Sequence, residues 1–508
     1  MNTLLPAALL AAAMFAPAAV SAADDAPALL ARHAAYVGWH AGDGKVKTLR
    51  QVTEGVRDGK VRYTATTAWY GFATRESTTD QNGIESSDGF TGAVFWTSNE
   101  NGFTVRPVGE VVQYLADLHG VFAELTTQLP GAVRGRETID GVETTIVRLT
   151  PPGGAAPIDV FIEPNGAYRR IVIDPGGKYE ATLNGLAYTE IEGRRFLTQW
   201  HFGSSRTVRR AVRTEVNAAV SPEDLRPPKQ TATWTFGEAP AHVTLTRGNF
   251  PRIYVDALIN GVKGKFIFDT GAGGTALTDS FARKAGAKRL GVSTIMGIGG
   301  GATANLYRLD AIAVGGSTLA NVVARTGLVE EWFRDEGIDG LIGFDLLGGA
   351  VVDLNLDTGN LHVLDPAKVA PNRDSGIVLN VDLSELVMRV PMRLNDKIDV
   401  VATLDSGNPL NVLFSRDLIT RDRLPFLVDP NTLGSTRSLS GVAGSEIERC
   451  GRLDQLALGP IVYKPVPACD SGSFARNEIL VGLDFMKNFN YVFSYPDGIV
   501  VMQRRSGL

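Results

Sequence analysis

Ile253-Tyr254-Val255-Asp256-Ala257-Leu258-Ile259, Asn260-Gly261, and then Phe266-Ile267-Phe268-Asp269-Thr270-Gly271-Ala272 is the stretch that decides the fold. An apolar-rich run meets a two-residue Asn-Gly turn and returns as a second apolar run, which predicts a tight antiparallel hairpin. The returning strand ends by delivering an aspartate, a small hydroxyl residue and a glycine to a turn. Further along, the same order recurs. Val387-Met388-Arg389-Val390-Pro391-Met392-Arg393-Leu394 passes through Asn395-Asp396 into Val400-Val401-Ala402-Thr403-Leu404-Asp405-Ser406-Gly407-Asn408.

Other landmarks repeat with the hairpins, and a repeat found before any motif is named is the safer guide. Gly297-Ile298-Gly299-Gly300 and Gly441-Val442-Ala443-Gly444 each precede a shared Arg-Leu-Asp, at Arg308-Leu309-Asp310 and Arg452-Leu453-Asp454, with an offset of 144 for both pairs. Each copy closes on two aliphatic residues before glycine: Leu341-Ile342-Gly343-Phe344-Asp345 and Leu480-Val481-Gly482-Leu483-Asp484. From motif Asp to that glycine the interval is 74 residues in one copy and 77 in the other.

This order of Asp-Thr/Ser-Gly, glycine-rich flap and hydrophobic-hydrophobic-Gly resembles the pepsin-like and retropepsin-like aspartic proteases over about 265 residues. Asp269-Thr270-Gly271-Ala272 is similar to the retropepsin form, while two copies in one chain are similar to the pepsin arrangement. The resemblance implies a bilobal pair of β-barrels with Asp269 and Asp405 as the catalytic residues. It also implies Thr270 and Ser406 hydrogen-bonding across the lobes, Gly271 and Gly407 giving tight turns, and Ala272 and Asn408 beside the carboxylates. Gly297 to Gly300 and Gly441 to Gly444 would be flaps over an extended peptide. The family commonly has Ala, Ser or Thr where Asn408 stands, and neither flap carries the Tyr usual in pepsins. Two carboxylates a few ångströms apart hold one proton between them, so the pair activates water without metal or cofactor.

Asp-Thr/Ser-Gly also occurs at Asp357, Asp374 and Asp470, away from the matched landmarks, where ordinary turn chemistry explains it. The six histidines form no ligand-type cluster, and no Gly-x-Ser-x-Gly elbow is present, so neither a metal nor a serine hydrolase is indicated.

Ahead of the repeat, Met1 to Ala23 is an uncharged Leu/Ala/Val run ending at Asp24-Asp25, the pattern of a cleavable export signal. The expected location is periplasmic or secreted, with no membrane span once the signal is removed. From 24 to 225 turn dipeptides such as Asp58-Gly59 and Asn165-Gly166 break alternating segments, which predicts an antiparallel curved sheet. Helices are expected before Tyr36 and over Gly109-Ala123. Thr144-Leu149, Asp159-Ile162, Tyr168-Ile171 and Tyr188-Phe196 resemble the half-barrel of periplasmic lipoprotein carriers of the LolA type. The expected parts are a signal at 1–23, a β-rich α+β domain at 24–225, a linker at 226–240, lobes at 241–366 and 375–508, and an interlobe linker at 367–374. The expected fold class is mainly β.

Net charge is −5 with Lys and Arg scattered, which argues against a nucleic-acid partner. The expected partner is a peptide or protein substrate, and because both lobes sit in one chain a monomer is expected. If Gly459-Pro460 turns a hairpin, cross-strand partners sum to 919, as do Cys450 and Cys469, the candidate disulfide in an oxidising compartment. The competing reading is a lipid- or lipoprotein-binding protein whose peptidase-like module is inactive.

Overall fold

The computed structural model describes residues 25–40, 42–71, 73–91, 95–105, 129–151, 156–175, 180–203, 205–248, 251–297, 300–327, 330–381, 386–410, 412–416, 435–441, 444–472 and 479–506. The expected signal at 1–23 and the expected helix over Gly109-Ala123 lie outside them. The chain is mainly β, with 58% strand, in one closed six-strand barrel and two open sheets. By contacts it divides into two units: 1–45 with 116–203, and 46–115 with 204–508.

In the first unit the helix Ala26–Val37 starts where the Asp25 carboxylate accepts from the Ala28 N–H (2.8 Å) and ends at Gly38, whose φ of 83° closes the last turn. Leu29, Leu30, His33 and Val37 form its buried stripe. Six antiparallel strands follow: Gly131–Ile139, Val142–Leu149, Ile158–Ile162, Tyr168–Ile173, Ala181–Ile191 and Arg194–Phe202, each paired with the next. Their tightest turns, Asp140-Gly141 and Glu192-Gly193, place both central residues at positive φ, as two-residue hairpin loops require.

The second unit opens with an antiparallel run of strands, Thr48–Arg57, Lys60–Tyr70, Ala73–Asp80, Glu85–Phe90, Phe95–Asn99 and Gly102–Val105, with Val208–Val216 beside the first. The barrel comes next. Ile253–Ile259 pairs with Val262–Phe268 across Asn260-Gly261, whose φ values of 50° and 79° match the expected turn. Val262–Phe268 runs parallel to Gly340–Ile342, which pairs with Ala276–Leu277. Ala276–Leu277 meets Ser317–Arg325, Ser317–Arg325 meets Gly300–Val314, and Gly300–Val314 returns to Ile253–Ile259, closing the ring.

The nine-strand sheet repeats most of these pairings. Arg389–Leu394 pairs with Ile398–Asp405, Ile398–Asp405 runs parallel to Ile479–Gly482, and Val412–Ser415 lies between Ile479–Gly482 and Val466–Ser471. Here the ring is open. The strand Gly444–Leu453 stops, and Leu456–Leu458 pairs separately with Arg389–Leu394. In the barrel the corresponding strand, Gly300–Val314, is unbroken.

Between these two arrays run six strands in the order Ala241–Leu245, Asn360–Leu364, Val351–Asn355, Phe489–Ser494, Ile499–Arg504 and Ile377–Asn380. At their centre Val352 opposes Phe493. One apolar core joins all three arrays, from Phe266, Phe268 and Ile342 through Val352 and Phe493 to Leu404, Phe414 and Val481. Burial of this size is what holds two hairpin ends in fixed register. Among the described residues no helix is long and apolar enough to cross a membrane.

Candidate active site

Asp269 and Asp405 each leave the end of an apolar strand and enter a turn. The strand Val262–Phe268 is apolar at its end because Phe266, Ile267 and Phe268 are all buried, and Ala402 and Leu404 play that part before Asp405. The turns interlock. The Thr270 N–H donates to Ser406 Oγ (3.0 Å) and the Ser406 N–H donates to Thr270 Oγ1 (3.0 Å). Each hydroxyl donates in turn to a carbonyl of the opposite strand, Thr270 to Leu404 (2.6 Å) and Ser406 to Phe268 (2.7 Å). Thr270 is 1% exposed and Ser406 0%, so these bonds are shielded from water and their loss would leave buried groups unpaired.

The network brings the two carboxyls together, each close enough to influence the other's ionisation. On the inner side the Gly271 N–H donates to Asp269 Oδ1 (2.9 Å), and the Gly407 and Asn408 N–H groups donate to Asp405 Oδ1 (2.9 and 3.0 Å). Gly271 lies against the Asp405 carboxyl and Gly407 against that of Asp269, so closely that a methyl at either glycine would overlap the carboxyl it faces. Glycine here permits close approach, not an unusual φ.

Burial pushes both carboxyls above the ordinary range. For Asp269 the Gly271 N–H, the hydrogen bond to Asp405 and the positive charge of Arg252 oppose the rise. Asp405 rises further, by burial first and then by the negative charge of Asp269. Two buried carboxyls held this close favour sharing a single proton. Arg252, 7% exposed at the start of the strand Ile253–Ile259, feels both carboxylates, and its own pKa is lowered by burial.

Asn408 does not turn its side chain to the carboxylate. Its Oδ1 accepts from the Leu410 N–H (3.1 Å), so the amide braces the loop after the turn while the backbone N–H serves Asp405. Ala272 accepts at its carbonyl from the Phe344 N–H (2.9 Å), and Asn408 likewise from the Leu483 N–H (2.7 Å). These bonds tie each turn to the segment after Gly343 or Gly482. In the two segments expected to be flaps, Lys288–Gly297 and Gly300–Val314 pair up to Gly297 opposite Gly300, and Ser435–Gly441 and Gly444–Leu453 pair up to Gly441 opposite Gly444. Ile298, Gly299, Val442 and Ala443 lie outside the described residues.

Residues 255–346 match the aspartyl protease family model. The match holds Asp269 and the closed barrel and ends before Asp405, so the chain carries an aspartyl protease family domain in that stretch. No curated protein matches the chain. Among solved structures, a DUF1329 family protein from Desulfovibrio piger is similar at 15% identity and a TM-score of 0.28, over 39% of this chain and 95% of that one.

The aspartates outside the aspartyl protease pattern have structural partners. Desolvation raises Asp357, but the Asn490 amide and the Arg505 guanidinium outweigh it and bring the carboxyl down to about 2. Asp470 is 1% exposed and pairs with Arg416 (2.9 Å) and Arg449, which together hold it below the ordinary range against its own desolvation. Asp374 sits in a single helical turn where its N–H donates to Asn372 Oδ1 (3.1 Å). Beside Asp470, Cys450 opposes Cys469 and the two are disulfide-bonded, in the register that also pairs Leu456 with Tyr463. Glu448 stands near both sulfurs, the one group of three potential metal-ligand residues among the described residues, and the disulfide occupies two of them.

Sequence reasoning passed over Arg252, Thr275, Asp345 and Asn101. Asp345 had a signal, because Gly-x-Asp recurs at Gly343 and Gly482. Asn101 offered only the turn signal of Asn99-Glu100-Asn101-Gly102, which says nothing of a distant partner.

Proposed function

We propose that this chain is an exported aspartic endopeptidase in which two related lobes supply Asp269 and Asp405 to one site. The single observation that carries the reading is the reciprocal Thr270–Ser406 bonding that seats the two carboxyls against each other. Asp269, ionised, takes a proton from water as its oxygen attacks the peptide carbonyl carbon. Asp405 gives its proton to the carbonyl oxygen, and a tetrahedral gem-diol forms. On collapse the C–N bond breaks, Asp269 returns its proton to the amine nitrogen, and one gem-diol hydroxyl restores the proton of Asp405.

Relatedness of the lobes is supported by bonds that recur with the repeat. The Asn260 N–H donates to the Ala311 carbonyl (2.9 Å) and the Asn395 N–H to the Gln455 carbonyl (2.9 Å). Gln455 stands 144 residues after Ala311, the offset of the flap glycines. On this reading the open ring of the second sheet is a six-strand barrel interrupted at Asp454-Gln455. Export is supported by the composition of Met1 to Ala23 alone.

The test is a diverse peptide library digested from pH 3 to 8 by the wild-type protein and by Asp269→Asn and Asp405→Asn, with and without a statine-type inhibitor. Cleavage by the wild type only, blocked by the inhibitor, is expected. Equal cleavage by both variants would sink the reading.

A further inference from the structure

The hairpin turn between the strands Phe95–Asn99 and Gly102–Val105 reaches the barrel through one side chain. Asn101 Oδ1 accepts from the Val323 N–H (2.6 Å), while its Nδ2 donates to the Val323 carbonyl (3.1 Å) and to Asp345 Oδ1 (2.7 Å). Asp345 Oδ2 accepts in turn from the Thr275 N–H (2.6 Å). Thr275 lies six residues after Asp269, on the same loop. Its carbonyl accepts from the Arg325 N–H (3.1 Å), and Arg325 pairs with Glu100 of the hairpin (3.0 Å). The Ala232 N–H donates to the Asn101 carbonyl (3.1 Å).

A cavity of about 690 Å³ opens beside this turn, lined by Phe103, Trp234, Phe344 and Tyr495 together with Asn101 and Asp345. Several hydrogen bonds tie the turn to the barrel across this cavity, and each links the position of one partner to that of the other.

We infer that Asn101 is a positioning residue for the Asp269 loop, acting through Asp345 and Thr275, so that the strands ahead of the barrel are part of the catalytic apparatus. The inference rests on the peptidase reading for its kinetic consequence, but its structural half does not. Asp345 is a half-buried carboxylate that accepts from two donors at once, and a loop braced at both ends of such a bridge holds a carboxyl within the tolerance that catalysis needs. Without Asn101, Asp345 Oδ1 is free to turn, and the Thr275 N–H loses a fixed acceptor.

The experiment compares Asn101→Ala with Gln230→Ala in the full-length protein. Gln230 bonds Phe103 of the same hairpin at both its N–H (3.1 Å) and its carbonyl (2.6 Å), without touching Asp345. Amide hydrogen exchange is read at Thr275 together with kcat and KM on a cleaved peptide. Asn101→Ala is expected to speed exchange at Thr275 at least 10-fold and to lower kcat at least 10-fold with KM within about 2-fold, while Gln230→Ala leaves both near wild type. The inference is overturned by unchanged exchange in Asn101→Ala, or by equal effects from the two variants, which would mean general docking of the hairpin. If the wild type cleaves nothing, the peptidase reading fails and the exchange comparison alone decides the role of Asn101.

Discussion

At Asp405 burial and a neighbouring charge act in the same direction, whereas at Asp269 the Arg252 guanidinium opposes burial. Two outcomes follow from that asymmetry. On the peptidase reading, replacing either carboxylate by Asn takes away a general acid or base, and kcat should fall by about 10²–10⁴-fold in a peptide-cleavage assay. Replacing Arg252 by Met removes the charge that favours ionised Asp269, so the acid limb of the kcat/KM profile should move to higher pH. A shift to lower pH would refute that role for Arg252. Stability responds with a definite sign. A carboxyl raised in the folded state contributes stability at acid pH that is lost as pH climbs from the ordinary carboxylate range through the raised value. Asp405→Asn should therefore raise Tm at pH 7, with the gain shrinking towards pH 4, as read by scanning calorimetry.

Two elements carry the site, and each is a strand end. Thr270→Ala strips the strand ends of a donor to Leu404 and an acceptor for Ser406, leaving two buried backbone groups unpaired. The expected loss is about 2–4 kcal/mol, measured by urea denaturation, with Thr270→Ser close to wild type. In the second sheet the disulfide joins Gly444–Leu453 to Val466–Ser471 and closes a loop of about 20 residues, so Cys450→Ser with Cys469→Ser should cost up to about 3 kcal/mol. These elements were also the most legible part of the sequence. Asn260-Gly261 announced its hairpin, and the sum of 919 placed Cys450 opposite Cys469, because turn type and strand register are set by neighbours a few residues apart. The break at Asp454-Gln455, which leaves the second sheet open, had no such local mark, since Arg-Leu-Asp there is identical to the unbroken Arg308-Leu309-Asp310.

For the whole molecule, both aspartates come from one chain, and the core runs unbroken between the arrays that carry them. Catalysis should accordingly need no second copy. Specific activity is expected to stay constant on dilution from micromolar to low nanomolar protein, and a fall on dilution would mean that chains must pair. Asp345, pushed up to about 6 by burial against the pull of Thr275, Asn101 and Arg325, adds to the same long-range design. It links a hairpin near residue 100 to a loop near residue 270, across a separation that no sequence window spans.

The sequence by itself determined the β class, the two Asp-Thr/Ser-Gly turns, the matched landmarks and the cysteine register, all of which follow from alternation, turn residues and spacing along the chain. Only the tertiary structure decided that the two carboxyls come together, that burial raises both, that Arg252 lies within their field and that Asn101 reaches Asp345. Desolvation and Coulomb interaction depend on what surrounds a group in space, and that environment is assembled from residues the chain keeps far apart.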